Sequence, residues 1–327
     1  MSAPIAVVAG GSGFVGRAIT TALREDGYTV RLIGRAGPDA RWDDPASVRR
    51  AVDGADLLVN LAGKSVDCRY NDPNRDEILR SRVETTRALH DAVAAASRPP
   101  TVWLNASTAT IYRYAIDRPQ REQDGEYGTG FSVDVARAWE DEFFRGDLPA
   151  TRRVALRMAI VLGDGPATGM LFRLARVGLG GPQYDGRWVP HRRYRGIGPH
   201  PTGDGRAPWH RSGGRQRFSW IHIDDVVGAV RLLRDTPGLD GPVNLASPGP
   251  RDNRTLMAML RHTVRMPVGL PAPRWMLEPA MWALRTEPEL VLKSRWVLPG
   301  RLTEAGYAFS HPHLDAALAD VWRRMRE

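Results

Sequence analysis

The chain has 327 residues, of which 42% are hydrophobic and 25% charged, a composition typical of globular proteins and not of disordered or fibrous chains. It contains a single cysteine, Cys68, and no apolar run of about 18 residues, which excludes an internal disulfide and argues against a membrane-spanning helix. The net charge of +9 comes from arginines spread along the chain, a distribution that favours compositional bias over a nucleic-acid partner.

Short apolar segments alternate with segments of helical periodicity over the first half of the chain. The predicted strands cover residues 5–9, 29–33, 56–60, 101–106 and 154–161, and the predicted helices cover 13–25, 77–96 and 133–144. Strands that alternate with helices indicate βαβ units, and therefore a parallel sheet that is covered on both faces. Too few residues separate Gly34 from Trp42 for an ordinary parallel crossover, so we expect a reduced strand at Trp42 after an irregular connector.

The pattern changes after Gly163. Residues 183–212 are rich in glycine, proline and arginine and lack an apolar period, which predicts a long exposed loop or a partly disordered insertion. Regular patterns return with a predicted strand at 218–223, a helix at 225–234, a strand at 243–246, and a mostly helical remainder from Asn253, broken by prolines between 267 and 299.

The predicted fold class is α/β, with a doubly wound Rossmann sheet and a smaller C-terminal α/β part that faces the substrate. The predicted first domain covers residues 1–236 and is interrupted by a substrate-side segment, residues 164–217, which contains the insertion. The predicted C-terminal part covers residues 237–327 and includes a helical segment at 277–325.

A glycine-rich loop follows the first strand and opens the first helix. Gly10, Gly13 and Gly16 stand in a G-x-x-G-x-x-G spacing, which suits a tight turn, close backbone approach to a pyrophosphate, and close packing of helix on strand. The helix start offers unpaired amides and the positive end of the helix dipole to phosphates. The predicted dinucleotide site therefore comprises Gly10, Ser12, Gly13, Phe14, Val15 and Gly16.

The end of the second strand indicates which cofactor binds. NAD-binding folds usually place an acidic residue there to bond the ribose hydroxyls, but this chain has Arg35. An arginine pairs with a 2′-phosphate and accepts no hydrogen bond from hydroxyls, so we expect NADP in preference to NAD. The alternative is that Arg35 is an ordinary surface arginine of an arginine-rich chain.

Together with this loop, several further segments resemble the extended short-chain dehydrogenase/reductases. They are NLAG (60–63), SRV (81–83), STATIY (107–112) and WIHIDDV (220–226). Four other segments resemble an epimerase-like subfamily of nucleoside-diphosphate-sugar epimerases, namely 131–140, 157–163, 178–182 and 241–250. That subfamily's C-terminal helical segment is similar to residues 277–318, whereas the 183–212 insertion departs from the usual pattern.

The resemblance implies a nicotinamide cofactor and an enzyme of the epimerase/dehydratase or reductase type. It implies that Leu61, Ala62 and Gly63 line the nicotinamide-side ribose and the pyrophosphate, and that the substrate lies under the C-terminal half. It also implies a catalytic Ser or Thr, for which Thr108 fits, and a Tyr-x-x-x-Lys pair on a helix. The positions of that pair hold Ser132 and Ala136 in this chain, so the family's usual proton-transfer groups are missing.

Substitutes for the missing pair are available nearby. Tyr112 is the first candidate phenol, and the others are Tyr114 and Tyr127, with Arg113 or Arg137 as the cation. The structural alternatives are that Thr108 caps backbone at a strand end and that Tyr112 is a packed aromatic residue. Thr108 and Tyr112 are therefore the predicted catalytic residues, although a purely structural role stays open for each of them.

A metal site is not expected. His222 and Asp224 share one side of a predicted strand, but a third ligand is absent. Asp224 or Asp225 is expected to cap the following helix instead, and His311 and His313 are expected in a surface loop.

Two functions remain open. The first is an NADP-dependent oxidoreductase or epimerase-like enzyme that acts on a small molecule, with a nucleotide sugar as one candidate. The second is a catalytically silent NADP-binding sensor or interaction protein, suggested by the empty Tyr and Lys positions. Because the N-terminal apolar segment is too short and too interrupted by glycines for a signal peptide, we expect a cytoplasmic protein. We also expect a monomer or homodimer with no membrane partner.

Overall fold

The computed structural model describes residues 3–327 and contains thirteen strands in that range. The strands are β1 (Ile5–Ala9), β2 (Thr29–Gly34), β3 (Ala40–Arg41), β4 (Leu57–Asn60), β5 (Val102–Thr108), β6 (Arg152–Met158), β7 (Ile160–Leu162), β8 (Gln183–Tyr184), β9 (Arg217–Phe218), β10 (Trp220–His222), β11 (Gly241–Leu245), β12 (Arg251–Asp252) and β13 (Ala272–Pro273).

The same residues form eleven α-helices. They are α1 (Phe14–Glu25), α2 (Pro45–Val52), α3 (Asp72–Ala94), α4 (Phe131–Phe143), α5 (Pro166–Arg176), α6 (Ile223–Asp235), α7 (Asn253–Thr263), α8 (Arg274–Ala283), α9 (Glu289–Leu292), α10 (Gly300–Glu304) and α11 (Leu314–Arg324). None of the helices in residues 3–327 is long and apolar enough to cross a membrane.

Seven strands form one parallel sheet in the order β11-β6-β5-β4-β1-β2-β3. The strand order reverses beside β1, which is the arrangement of a doubly wound Rossmann sheet and places ligands at the carboxyl ends of the strands. The predicted fold class is confirmed. The sheet includes β11, which lies beyond residue 237, so it extends past the predicted start of the C-terminal part.

The side chains of β1 point alternately to the two faces of the sheet, and they are hydrophobic on both faces. Ala6 and Val8 pack in a core with residues of α1 and α6, whereas Val7 and Ala9 pack in a second core with residues of α2, α3 and α4. Both sides of the strand are therefore apolar, as expected for a parallel sheet between two helical layers.

Four local predictions differ from the structure. Helix α2 was not predicted, and it begins behind Asp44, whose side chain accepts from the amides of Ala46 and Ser47. Helix α3 begins at Asp72 and not at residue 77, because Asn71 caps it and Pro73 suits its first turn. The reduced strand expected at Trp42 is β3, which ends one residue earlier and pairs with β2.

The fourth difference is that the strand predicted at 154–161 divides into β6 and β7. At Ala159 the chain leaves the main sheet, and β7 pairs with β10 instead of continuing beside β5. The separate pair packs on a smaller core formed with α5, α7 and α11, in which Phe172, Trp220 and Leu318 are buried.

The insertion at 183–212 is irregular and many of its residues are exposed, as predicted, but contacts with other segments tie it to the rest of the chain. Asp134 of α4 accepts hydrogen bonds from the amides of Ile197 and Thr202 and from the Thr202 hydroxyl. Arg274 of α8 bonds Asp185 at 3.0 Å, and the Arg193 side chain pairs with Glu278. Acidic and basic residues from distant parts of the chain hold this segment in place. Its own sequence therefore shows no hydrophobic period from which the structure could be predicted.

Candidate active site

The glycine loop folds as the spacing predicts. Gly10 has a φ of +79°, and a Cβ there would lie 2.8 Å from the backbone of Leu61 and Ala62. A Cβ on Gly16 would lie 2.3 Å from the carbonyl oxygen of Gly10, so that residue lets α1 approach the loop. A Cβ on Gly13 meets only the Gly10 oxygen, at 3.5 Å, which leaves the space above it free for a ligand.

The start of α1 fits a diphosphate. Gly13 stands at the N-cap position, and across the described chain no side chain caps this helix end. The amides of the first turn are therefore left for an anion, which the positive end of the helix dipole also attracts. Gly10, Gly13, Phe14, Val15 and Gly16 all line one cavity, so the loop faces an open site and not the protein interior.

Arg35 lies directly after β2, beside the first strand of the cofactor half. Its side chain is exposed, and within residues 3–327 it makes no hydrogen bond or ion pair. Asp39, the first acidic residue after β2, accepts a hydrogen bond from the amide of Leu32 at 2.8 Å. The end of β2 thus presents a free cation, while the nearby carboxylate is already engaged.

The segment that follows β4 forms the opposite wall. Leu61 lines the cavity, and the amide of Ala62 donates to the Asn60 side chain at 3.0 Å. The buried Asn60 amide in turn donates to Asn105 at 2.7 Å, which links the ends of two neighbouring strands. A Cβ on Gly63 would meet Arg82, whose guanidinium lines the cavity, and burial lowers the pKa of Arg82 to about 10.

The cavity continues from the glycine loop to the end of β5 and the first turn of α4. It has a volume of about 370 Å³, and its far end is lined by Tyr70, Thr108, Ser132, Leu290 and Arg295. Thr108 ends β5, and its hydroxyl accepts from the amide of Thr110 at 3.1 Å. The backbone-capping alternative for Thr108 is therefore observed, and Thr108 faces the cavity as well.

Tyr112 is not brought to this cavity. It is only 2% exposed, and its hydroxyl is bonded to Asn244 and to Arg157, at 2.9 Å each. Arg157 is held by Glu140 at 2.6 Å, so Tyr112 is part of a buried network behind β5. The geometry favours the packed-aromatic alternative, and the catalytic assignment of Tyr112 stays a prediction.

The other predicted substitutes also lie elsewhere. Tyr114 and Tyr127 line a second cavity of about 690 Å³, where Tyr114 stacks on His210 with ring centres 3.6 Å apart. Arg113 pairs with Asp117 at 2.8 Å, and Arg137 lies over the ring of Tyr127. None of these groups stands where the family's Tyr-Lys pair is expected.

Ser132 occupies the expected tyrosine position and lines the first cavity. Its hydroxyl donates to Glu289 of α9 at 2.9 Å. Ala136, at the expected lysine position, is fully buried one helical turn further on. Tyr70 lines the same end of the cavity, and burial raises the pKa of its phenol, so that phenol stays neutral.

The C-terminal part supplies charged groups that the sequence prediction missed. Lys293 donates to the carbonyl oxygen of Thr110 at 2.8 Å and lies 4.0 Å from Glu289. Burial lowers the pKa of Lys293 to about 8. Arg295 donates to the Thr110 hydroxyl at 3.1 Å and lines the first cavity.

Only one sequence signal pointed to this wall. Lys293 is one of two lysines in an arginine-rich chain, so its residue type is unusual here. Glu289 and Arg295 belong to common residue types, and more than 150 residues separate each from Ser132 in sequence. Their approach to the cavity depends on the tertiary fold.

The second cavity lies beside the first and shares Tyr70 with it. It is lined by residues of the insertion, including Arg193, Tyr194, Thr202 and His210, and by Glu289 and Lys293. Most of its arginines are paired with acids, as Arg193 is with Glu278 and Glu287. The insertion therefore forms a wall of the second cavity.

The cluster around His222 differs from the prediction in three ways. A third and a fourth ligand-type group, His311 and Asp320, come within 4.8 Å of His222 and Asp224, so the argument that no third ligand exists was wrong. His311 is not in a plain surface loop, because its ring packs on His222 at 3.8 Å.

The third difference concerns the helix cap. His222, and not Asp224 or Asp225, caps α6 by accepting from the amide of Asp224 at 3.2 Å. Asp225 is fully buried and accepts from the amides of Ser310 and His311.

Two arginines pair with the two acids of this cluster. Arg324 pairs with both Asp224 and Asp320 at 2.6 Å, and Arg323 also pairs with Asp320. The cluster is therefore charge-balanced by the chain itself and joins α6 to α11.

Comparison with known proteins gives consistent matches along the chain. A family model described as "NAD dependent epimerase/dehydratase family" matches residues 6–132, and one described as "Domain of unknown function (DUF1731)" matches residues 272–321. The epimerase family protein SDR39U1 of Bos taurus is 31% identical over 323 residues, which are 96% of this chain and 98% of the relative.

Solved structures agree with these matches. The crystal structure of human epimerase family protein SDR39U1 (isoform 2) with NADPH has a TM-score of 0.81 at 27% identity, and covers 98% of this chain and 99% of that one. A nucleoside-diphosphate sugar epimerase from Corynebacterium glutamicum has a TM-score of 0.70 at 26% identity, and covers 98% of this chain and 58% of that one. The similarity extends over both the sheet and the C-terminal part.

Proposed function

This chain belongs to the NAD-dependent epimerase/dehydratase family, and on that premise we propose that it binds NADP and catalyses hydride transfer on a small molecule. The observation that carries the proposal is the single cavity that begins at the glycine loop and ends at Thr108, Ser132 and Arg295. A cofactor and the reacting end of a substrate meet in such a cavity. The predicted domain limits, the cytoplasmic location and the oligomeric state stay predictions.

The cofactor half offers two recognition elements. The uncapped first turn of α1 would hold the diphosphate, and the exposed cation of Arg35 would pair with the 2′-phosphate that distinguishes NADP from NAD. Bound NADP would supply the hydride acceptor or donor at the substrate carbon. Human SDR39U1, solved with NADPH, supports this choice.

The substrate half offers polar groups for a hydroxyl and for an anion. Thr108 and Ser132 have hydroxyls at the cavity wall, where they would orient a substrate hydroxyl or carbonyl. Arg82 and Arg295 line the same cavity and would favour a negatively charged substrate. A nucleotide sugar meets both requirements, and the relative from Corynebacterium named as a nucleoside-diphosphate sugar epimerase supports that class.

We assign the proton transfer to Glu289. When the substrate alcohol gives up a hydride from carbon, its hydroxyl proton passes to Ser132, and the Ser132 proton passes along the existing 2.9 Å hydrogen bond to Glu289. The reverse reaction returns the proton by the same route. Lys293, 4.0 Å from that carboxylate, is the nearby cation, and the neutral phenol of Tyr70 lines the same end of the cavity.

Cofactor choice is tested by calorimetry with NADP and with NAD. We expect wild type to bind NADP more tightly, and Arg35→Ala to lose roughly tenfold or more in NADP affinity while NAD affinity is unchanged. Arg24→Ala, another exposed arginine at the far end of α1, is the matched control and should leave both affinities unchanged. Equal loss of both cofactors in Arg35→Ala, or no loss, contradicts the assignment.

Turnover is tested with a panel of nucleotide sugars and carbonyl compounds, by nicotinamide absorbance and by product analysis, because an epimerase regenerates its cofactor. On any substrate found, Glu289→Gln should lower kcat by about 10²–10⁴, the usual contribution of a general base. The exposed Glu84→Gln is the control.

A second function is favoured by a specific observation, namely that Ala136 and Ser132 replace the family's lysine and tyrosine. If the protein binds NADP but is silent over the whole panel, the sensor or interaction protein is the better description.

A further inference from the structure

Helix α8 buries charged residues and exposes large apolar residues, which is the reverse of an ordinary surface helix. Its buried residues include Arg274 and Glu278, which pair with each other at 3.0 Å, and Arg274 also pairs with Asp185 at 3.0 Å. Its outer face carries Trp275 and Trp282, which are 66% and 62% exposed. A helix normally turns its apolar stripe inward and its charges outward, so two exposed tryptophans are unusual for a helix at a water-facing surface.

The exposed apolar residues extend beyond α8 and form one surface. Nine of the twelve large hydrophobic residues that the described chain exposes fall in two segments, residues 177–189 and 268–284. They are Val177, Leu179, Val189, Val268, Leu270, Trp275, Met276, Trp282 and Leu284, here called the apolar surface. The two segments are adjacent in space, because β8 pairs with β13 and the amide of Leu270 donates to Gly178 at 2.8 Å.

The charges around this surface have one sign. Residues 165–189 and 253–284 contain only two acids, Asp185 and Glu278, whose side chains are 4% and 3% exposed and are paired with arginine. Exposed arginines, in contrast, stand beside the apolar residues, as Arg176 does beside Val177, Arg265 near Val268, and Arg285 beside Leu284. Tryptophan and leucine with an arginine rim are the composition of surfaces that lie in the interface of an anionic bilayer.

We propose that the apolar surface docks this protein peripherally on an anionic lipid bilayer. The tryptophans and aliphatic residues enter the headgroup region, while the arginines face the lipid phosphates. A second copy of the chain fits less well, since a symmetric pairing of this surface would bring its arginine rims together. The sequence predicted no membrane partner, because it contains no spanning segment and the outward direction of α8 depends on its buried ion pairs.

The test is co-sedimentation of the full chain with phosphatidylcholine vesicles that either contain or lack phosphatidylglycerol. We expect binding only to the vesicles that contain phosphatidylglycerol, and weaker binding as the salt concentration rises. The double variant Leu270→Ser/Trp275→Ser should lose roughly tenfold or more in vesicle affinity, because it removes two exposed apolar anchors. Ile116→Ser is the matched control, since Ile116 is exposed but lies outside the apolar surface.

Three results would overturn the proposal. They are absence of sedimentation with phosphatidylglycerol vesicles at low salt, equal vesicle binding by wild type and the double variant, and a concentration-dependent dimer in sedimentation equilibrium that the double variant abolishes. The last result would mean that a second copy covers the surface. Because both substituted side chains are more than half exposed, thermal unfolding of the double variant should match wild type, which separates lost binding from lost folding.

Discussion

The glycine loop at residues 10–16 and the wall at residues 289–295 border the same cavity but are built differently. The loop uses backbone atoms of one short segment, with glycines where a Cβ would collide with neighbouring backbone. The wall uses side chains of a distant segment, and Ser132 meets Glu289 across 157 residues of sequence.

The difference predicts how each region responds to change. The loop depends on steric fit, which neither pH nor salt alters. The substrate side depends on buried charges, including the pairs of Glu278 with Arg193 and Arg274. Neutralising one partner of such a pair lowers the free energy of unfolding, because the other charge stays buried without compensation. The following variants test this contrast, beginning with the largest expected effect.

Glu278→Gln should have the largest effect on stability. The side chain is 3% exposed and serves two buried arginines, so its loss leaves cationic charge without full compensation. We expect the free energy of unfolding to fall by about 3–5 kcal/mol, toward the lower end because Asp185 and Glu287 remain as partners. Urea denaturation measures this, and Glu84→Gln on the surface should change it by less than about 0.5 kcal/mol. A loss as small in Glu278→Gln as in Glu84→Gln would contradict the role given to the buried charges.

Gly16→Ala should have the next largest effect. The added Cβ would lie 2.3 Å from the Gly10 oxygen and 2.8 Å from the Cα of Gly11, so α1 must move away from the loop. We expect a loss of about 3 kcal/mol in unfolding free energy that is the same at pH 5 and pH 8, because no ionisable group is involved. Gly238→Ala is the control, since a Cβ there meets nothing within 4 Å. A strong pH dependence of the loss would contradict the steric explanation.

The cluster around His222 should give a pH-dependent effect of about 2–3 kcal/mol. Burial, followed by the neighbouring His311, lowers the pKa of His222 from 6.5 to about 4. A histidine whose pKa is lowered by folding stabilises the protein fully above pH 6.5, and this contribution is lost as the pH falls toward 4.

Unfolding of wild type and His222→Asn should therefore be measured between pH 7 and pH 4.5. Wild type should lose more stability on acidification than the variant, whereas the exposed His313→Asn should follow wild type. Parallel curves for wild type and His222→Asn would show that His222 is not the titrating group.

Gly13→Ala should have the smallest effect on stability and still affect binding. A Cβ there makes ordinary contact at 3.5 Å, so the unfolding free energy should change by less than about 1 kcal/mol. The same Cβ would occupy the space above the start of α1 where the diphosphate is proposed to bind. We expect the affinity for NADP, measured by calorimetry, to fall at least roughly tenfold. Unchanged affinity would place the diphosphate elsewhere.

The cofactor half could be predicted because its information is local. Strand, glycine turn and helix follow one another within residues 5–25, and β1 is recognisable as an uninterrupted run of five apolar residues. Helix α2 was not predicted because it is only eight residues long and because one of its four buried residues is a serine, which weakens the apolar pattern. The division between β6 and β7 also escaped, since no glycine or proline marks Ala159.

The substrate half could be predicted only in outline. The absence of tyrosine and lysine at Ser132 and Ala136 is evident from the sequence, but Glu289 and Lys293 as their neighbours are not. The insertion showed no period because Asp134 and Arg274, which belong to other segments, hold it. His311 and Asp320 likewise reach His222 only through the packing of α11 against α6.

The sequence by itself determined the parallel sheet, the glycine loop and the family, because hydrophobic period, turn residues and motif spacing act between residues close in the chain. The tertiary structure decided which side chains face Ser132, which acids neutralise the buried arginines, and which face of α8 meets the surroundings. Those choices depend on contacts between segments far apart in sequence, where Coulomb attraction and packing select partners that no local pattern specifies.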